Sequence, residues 1–182
     1  MTSRNRLGRA MTLVELIVAL VVMSIVSTAA FSVLYAATGM NRYTQSQDAA
    51  LWDAEMAWHR LLSNGRAALS TTSFPIAGAN PTVTTDANGQ SRLTLTVPDI
   101  ANSTTRTVVY YCSGASAPYT LMENDPRYNV GGNPSTVAHN LQSFAASLTT
   151  TNGEQIWIDL RIAPPNTGFL IRRHICIDCR NF

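Results

Sequence analysis

The sequence predicts an α+β chain: one long N-terminal helix, part membrane-spanning and part amphipathic, packed on an antiparallel β-sheet. Three observations carry that prediction. An uncharged apolar run fills much of the first forty residues. Apolar residues then recur at helical spacing to about Ala68. After Ser70 the pattern changes to alternation with period two, broken by Asn-Gly, Pro and Gly. The 182 residues suffice for one ordinary domain plus an anchor.

The N-terminal element comes first. Arg4, Arg6 and Arg9 precede a stretch in which Glu15 is the single charged residue from Met11 to Met40. At about 1.5 Å per residue, Leu16 to Asn41 outspans a hydrocarbon core of about 30 Å. The basic flank keeps the N-terminus in the cytoplasm, so the remainder lies outside. An ionised carboxylate at the mouth of such a run costs free energy unless it is paired. Three readings compete. A secretory signal peptide would be cut near Thr28-Ala29-Ala30, yet the apolar run continues past that point. An uncleaved anchor suits the run and leaves Glu15 unexplained. The third reading rests on Ala10-Met11-Thr12-Leu13-Val14-Glu15-Leu16.

That stretch resembles the class III signal of type IV pilins and pseudopilins. The resemblance implies a leader over 1–10, a cut between Ala10 and Met11 by a prepilin peptidase, and N-methylation of Met11. Glu15 then becomes the fifth mature residue, and the resemblance implies that it pairs with the α-amine of a neighbouring subunit. Ala10 and Met11 depart from the family's commoner Gly and Phe. A cut after Gly8 would restore Gly but make Glu15 seventh. The implied fold is the pilin ladle, with 11–42 as transmembrane and assembly helix, 43–69 as the amphipathic half and 70–182 as a β-rich head. No Pro occurs from Met11 through Phe74, which predicts an uninterrupted first helix of the kind found in pseudopilins and minor pilins.

In the amphipathic half, Leu51, Ala54, Trp58, Leu61, Leu62, Ala68 and Leu69 form the apolar stripe. Asp53, His59, Arg60 and Asn64 lie mainly off it, and Glu55 can face His59 at i,i+4. Trp52 and Trp58 are expected to pack on the head. Ser63-Asn64-Gly65 is a point where the helix can end early.

The head reads as successive strands. Thr82–Thr85 and Arg92–Val97 flank Asn88-Gly89, a hairpin signal. Arg106–Cys112 and Tyr119–Met122 follow, then a loop from Asn124 to Ser135. Val137–Leu148 is ambiguous, with strand favoured in its second half. After a turn at Asn152-Gly153, Gln155–Ile162 alternates: Ile156, Ile158, Leu160 and Ile162 on one face, Trp157, Asp159 and Arg161 on the other. Pro164-Pro165-Asn166 breaks it, and Phe169–Ile177 is the last strand. Val108–Cys112, His139–Phe144 and Gln155–Leu160 resemble the heads of J-type minor pseudopilins and W-type minor pilins.

Little in the chain points to chemistry. The formal charge is +2 and every basic residue is Arg; without the three at the N-terminus the body is nearly neutral, so no direct nucleic-acid binding is expected. No nucleophile elbow, P-loop or dinucleotide fingerprint occurs, so no enzyme and no cofactor are expected. His59, His139 and His174 lack metal-ligand spacing. Glu123 and Asp125 beside a loop would make a poor Ca²⁺ site. Cys176 and Cys179 have C-x-x-C spacing, the pattern of a redox pair or half a metal site. Cys112 is the third cysteine. Pilin heads often carry a disulfide near the C-terminus, which implies a bridge among Cys112, Cys176 and Cys179 with the pairing left open.

These readings together describe a structural minor pilin or pseudopilin of a type IV pilus or type II secretion system. The resemblance implies several partners: the prepilin peptidase, other pilin-like subunits met through helix packing, an inner-membrane platform, an assembly ATPase, and lipid before assembly. It places the chain in the inner membrane, head periplasmic, and afterwards in a filament. The alternative is a membrane-tethered periplasmic binding domain that does not polymerise.

Overall fold

The computed structural model describes residues 12–69, 80–99, 102–129, 132–148, 155–165 and 167–179. The leader, Ala10, Met11, Ser70, Gly131, the Asn152-Gly153 turn and Asn166 lie outside them. The chain divides into two units, Met1–Tyr43 and Thr44–Phe182. The predicted α+β class is the observed one: a helix, α1 (Leu13–Arg66), followed by a curled antiparallel sheet.

In the first unit, every described side chain of α1 is exposed, including Leu16, Ile17, Leu20, Val21 and Phe31. The helix is long and apolar enough to cross a membrane, by length and composition. Four of its hydroxyls bond carbonyls of the preceding turn. Ser24 Oγ donates to Val21 O (2.7 Å), Thr28 Oγ1 to Ser24 O (2.8 Å), Ser32 Oγ to Ala29 O (2.8 Å) and Thr38 Oγ1 to Tyr35 O (2.9 Å). These polar groups therefore make no demand on an apolar surrounding. A helix apolar on all sides has no stable place in water; its surface calls for lipid or other helices.

In the second unit, α1 buries Ala50, Ala54, Ala57, Leu61, Asn64 and Gly65. The first three are alanines, and all three belong to the core cluster shared with the strands. Among the described residues the sheet has seven strands: β1 (Thr82–Thr85), β2 (Ser91–Asp99), β3 (Thr104–Ser113), β4 (Tyr119–Asn124), β5 (Ser135–Leu148), β6 (Gln155–Ile162) and β7 (Ile171–Asp178). They pair antiparallel in chain order, a meander. The inner face supplies Leu93, Leu95, Val108, Leu121, Phe144 and Ile177, all but fully buried. The alternation read for β6 holds: Ile156, Ile158, Leu160 and Ile162 are buried and Trp157 is exposed.

β5 explains the curl. Its first half pairs with β4 and its second half with β6, with a register shift between Leu141 and Ser143. Asn140 there has φ 58°, the left-handed kink of a bulge. Because β4 ends its pairing at Tyr119↔Leu141, the edge of β5 beyond that point lacks a strand partner on that side. Side chains supply one. Phe144 N donates to Gln90 Oε1 (2.8 Å) and Ala146 N to Ser91 Oγ (2.9 Å). The start of β2 thus folds over to meet β5, and buried amides remain paired.

Several expectations need correction. Val137–Leu148 is strand throughout, starting at Ser135, because β4 holds the half whose pattern was ambiguous. The last strand starts at Ile171 rather than Phe169. Trp52 does not pack on the head: it is 72% exposed, while Trp58 lies against the core. Asn64 is on the buried face of α1, and the helix runs past it to Arg66. Glu55 bonds Arg173 Nη2 across 2.7 Å. An i,i+4 pair with exposed His59 loses to a guanidinium that the sheet delivers.

Candidate functional site

The acid singled out by the sequence sits in the first turn of α1. Thr12 precedes the helix, and Glu15 is its third residue. Thr12 N–H donates to Glu15 Oε2 (2.9 Å), as does Thr12 Oγ1 (3.1 Å). In return Glu15 N–H donates to Thr12 Oγ1 (3.3 Å). This reciprocal arrangement is a capping box, which satisfies two N–H groups that a helix start leaves orphaned. It also sets a negative charge at the positive end of the helix dipole. Glu15 Oε1 takes no hydrogen bond from the described residues. The part played by Thr12 was missed by reading Glu15 alone. The spacing Thr-x-x-Glu before an apolar run was the available signal.

A second constellation lies under α1 in the head. Asn64 Nδ2 donates to Tyr110 Oη (2.7 Å) and to Glu123 Oε1 (3.0 Å), and Tyr110 Oη donates to Glu123 Oε1. Arg60 Nη1 bonds the other carboxylate oxygen, Oε2, and reaches Ser135 Oγ at 3.3 Å. Arg106 pairs with Asp125 (3.1 Å), donates to Pro98 O (3.0 Å) and extends to Asn64 Oδ1 (3.5 Å). Arg127 meets Asp125 at 3.3 Å. Both carboxylates are fully buried. Burial, together with the Glu123 charge, pushes the Tyr110 phenol well above its ordinary value, so it stays a donor. Every carboxylate here faces a guanidinium. Glu123 and Asp125, weighed above as Ca²⁺ ligands, are thus spent on fastening α1 to β3 and β4. A buried pair of this kind specifies position more than it adds stability.

The three cysteines are free thiols in the structure. Cys112 lies in β3 and Cys176 in β7, with β4, β5 and β6 between them in the sheet order. Cys176 faces solvent and Cys179, just past the strand, is buried. Residues at i and i+3 of an extended chain point to opposite faces about 10 Å apart. The C-x-x-C spacing therefore does not bring the two thiols together. Burial and the Asp86 charge push the Cys112 thiol up to about 12. Burial and the Asp178 charge push Cys179 up to about 11. Neither is a thiolate near neutral pH, as redox or metal chemistry requires.

The histidines are dispersed. His59 is exposed on α1, His139 uses its backbone N–H on Asp53 (2.8 Å), and His174 Nε2 lies 3.9 Å from Asp159 Oδ1. Among the described residues no group of three His, Cys, Asp or Glu is placed to hold a metal ion.

Residues 6–31 match the family model of the prokaryotic N-terminal methylation motif. The match covers Arg6 and Arg9 of the basic flank, Ala10, Met11, the Thr12–Glu15 box and the first part of the apolar helix. No curated protein and no solved structure matches the chain.

Proposed function

We propose that the chain is a type IV pilin-like structural subunit, a minor pilin or pseudopilin, cut after Ala10 and methylated at Met11. The observation that carries this reading is the methylation motif over residues 6–31, continuous with a helix apolar enough to cross a membrane. A prepilin peptidase acts on the cytoplasmic side, and the head stands in the periplasm. The lipid-facing surface of α1 is later covered by the helices of other pilin-like subunits, with an ATPase and a membrane platform driving assembly. Exposed side chains on every face of the first unit support that reading, because lipid and packed helices are both apolar surroundings.

Glu15 gives the assembly its register. Oε2 is held by Thr12 of the same chain, which leaves the remaining acceptor capacity of the carboxylate for an amine brought by a neighbour. In a low-dielectric setting such a pair is strong and sensitive to position. The chain's role is structural rather than catalytic in this reading.

The test is intact mass with N-terminal fragmentation of protein from its native membrane. A chain beginning at N-methyl-Met11 supports the proposal; one retaining Met1–Ala10, or one cut beyond the apolar run, overturns it. Filament incorporation of Glu15→Ala separates a polymerising subunit from a tethered domain. The subunit loses incorporation while still inserting, and the tethered domain shows no change.

A further inference from the structure

The outer, wet face of β5, β6 and β7 carries an indole beside a depression. Trp157 is 44% exposed. Its partners in register are Ser147 on β5 and Cys176 on β7, both much shorter. The next row is Ala145, Asp159 and His174. Small side chains on β5 thus leave a trough of about 240 Å³, walled by Trp157, Asp159 and His174. The combination of an apolar wall and a few convergent polar groups is the usual make-up of a small-ligand site.

The polar end has a definite electrostatic character. Arg172 donates to Asp159 through Nε (3.3 Å) and Nη2 (3.0 Å), and Arg161 Nη2 donates at 3.2 Å. Both guanidiniums are therefore committed to one carboxylate, and each keeps further N–H donors. Asp178, on the same face, is held by Gln155 Nε2 (2.9 Å). Two Arg and two Asp leave this face close to neutral. A phosphate-bearing polymer would have to compete with Asp159 for both guanidiniums. A neutral polyol can instead accept from their free N–H groups and donate to the carboxylate, with no ion pair broken. One face of a pyranose ring presents C–H groups of partial positive charge, which suit the negative face of an indole.

We propose that the trough beside Trp157 binds a pyranose unit of a neutral polysaccharide. Trp157 is the stacking platform, and Asp159 with its two Arg partners reads the hydroxyls. The assignment is independent of assembly, because it rests on the head alone.

The test uses the full chain in phosphatidylcholine nanodiscs, which avoids sugar detergents. Retention on insoluble chitin, cellulose and β-glucan is measured, followed by titration with the hexasaccharide of whichever matrix retains it. The expected result is saturable binding to at least one of these three matrices. Trp157→Ala weakens it about tenfold or more, the size of one lost aromatic contact. Trp157→Tyr, which keeps a ring, restores most of it, and Trp52→Ala changes nothing. Position 157 is exposed, so these variants keep their fold, checked by circular dichroism. No retention on any matrix overturns the proposal. So does equal binding by Trp157→Ala, or a Trp157-dependent interaction found only with single-stranded DNA or with peptide.

Discussion

Gly65 of α1 lies so close to Ile177 of β7 that a Cβ added at Gly65 would sit 2.7 Å from Ile177 Cδ1 and 3.1 Å from Cγ2. Glycine inside a helix is disfavoured by about 1 kcal/mol relative to alanine, so the position is held by packing and not by helix propensity. Ile177 is itself buried in the core and has little room to retreat. Gly65→Ala is expected to lower stability by about 1–2 kcal/mol despite the propensity gain. Adding Ile177→Val, which deletes the Cδ1 methyl, recovers part of the loss. Thermal denaturation of the two single variants and the double variant checks this.

Tyr110 and Asn64 share Glu123 with Arg60, so the four side chains act as one unit. Glu123→Ala removes the carboxylate that three buried or half-buried donors share and costs about 3 kcal/mol. Tyr110→Phe removes one donor and costs about 1–2 kcal/mol. The double variant is expected to cost less than the sum of the two, since each removes part of the same network. Denaturant midpoints of the four proteins measure the coupling.

The thiols predict selective modification. Cys176 is exposed, whereas Cys112 and Cys179 are buried with thiols raised to about 12 and 11. A thiol reagent at neutral pH should label one cysteine per native chain, and peptide mapping should find it at Cys176. The other two label only under denaturant. Rapid native labelling of Cys112 would contradict the packing of β3.

Asp159 carries a pH dependence of defined sign. Hydrogen bonds from Arg172 are the main cause that holds its carboxyl below the ordinary range. The folded state therefore binds that proton less readily than the unfolded state. The stabilisation is present above the unfolded value of about 4 and is lost as pH falls through the lower folded value. Asp159→Asn is expected to flatten the acid limb of stability below about pH 4, with a small loss at neutral pH. Denaturation curves taken across that range decide it.

The capping box yields a further expectation. Thr12→Ala removes the hydroxyl that accepts from Glu15 N–H and donates to its carboxylate. Losing an N-cap costs about 1 kcal/mol. Under the proposed function, this variant should fray the helix start and reduce incorporation less than Glu15→Ala does. Equal defects would assign the role of Glu15 to capping alone.

Much of the architecture was legible in the sequence because it follows from local pattern. The uncharged run from Leu16 to Asn41 is long enough to cross a bilayer. Ile156, Ile158, Leu160 and Ile162 declare a strand and its buried face, since alternate side chains of a strand point to opposite sides. Asn88-Gly89 marks the β1–β2 connection, where Gly89 adopts φ 74°. These features need only a residue and its near neighbours.

Tertiary structure decided what depends on residues far apart in the chain. Helical spacing placed Asn64 off the apolar stripe. Tyr110 and Glu123, 46 and 59 residues away, are what allow its amide to be buried. Trp52 and Trp58 are both expected from sequence to pack on the head, and the position of the sheet leaves one exposed and covers the other. β5 became strand along its whole length because β4, Gln90 and Ser91 divide its backbone hydrogen bonds with β6. The trough at Trp157 exists only through the register of three strands. Local pattern determines which elements form; pairing across the fold determines which polar groups are buried, and which surfaces stay open.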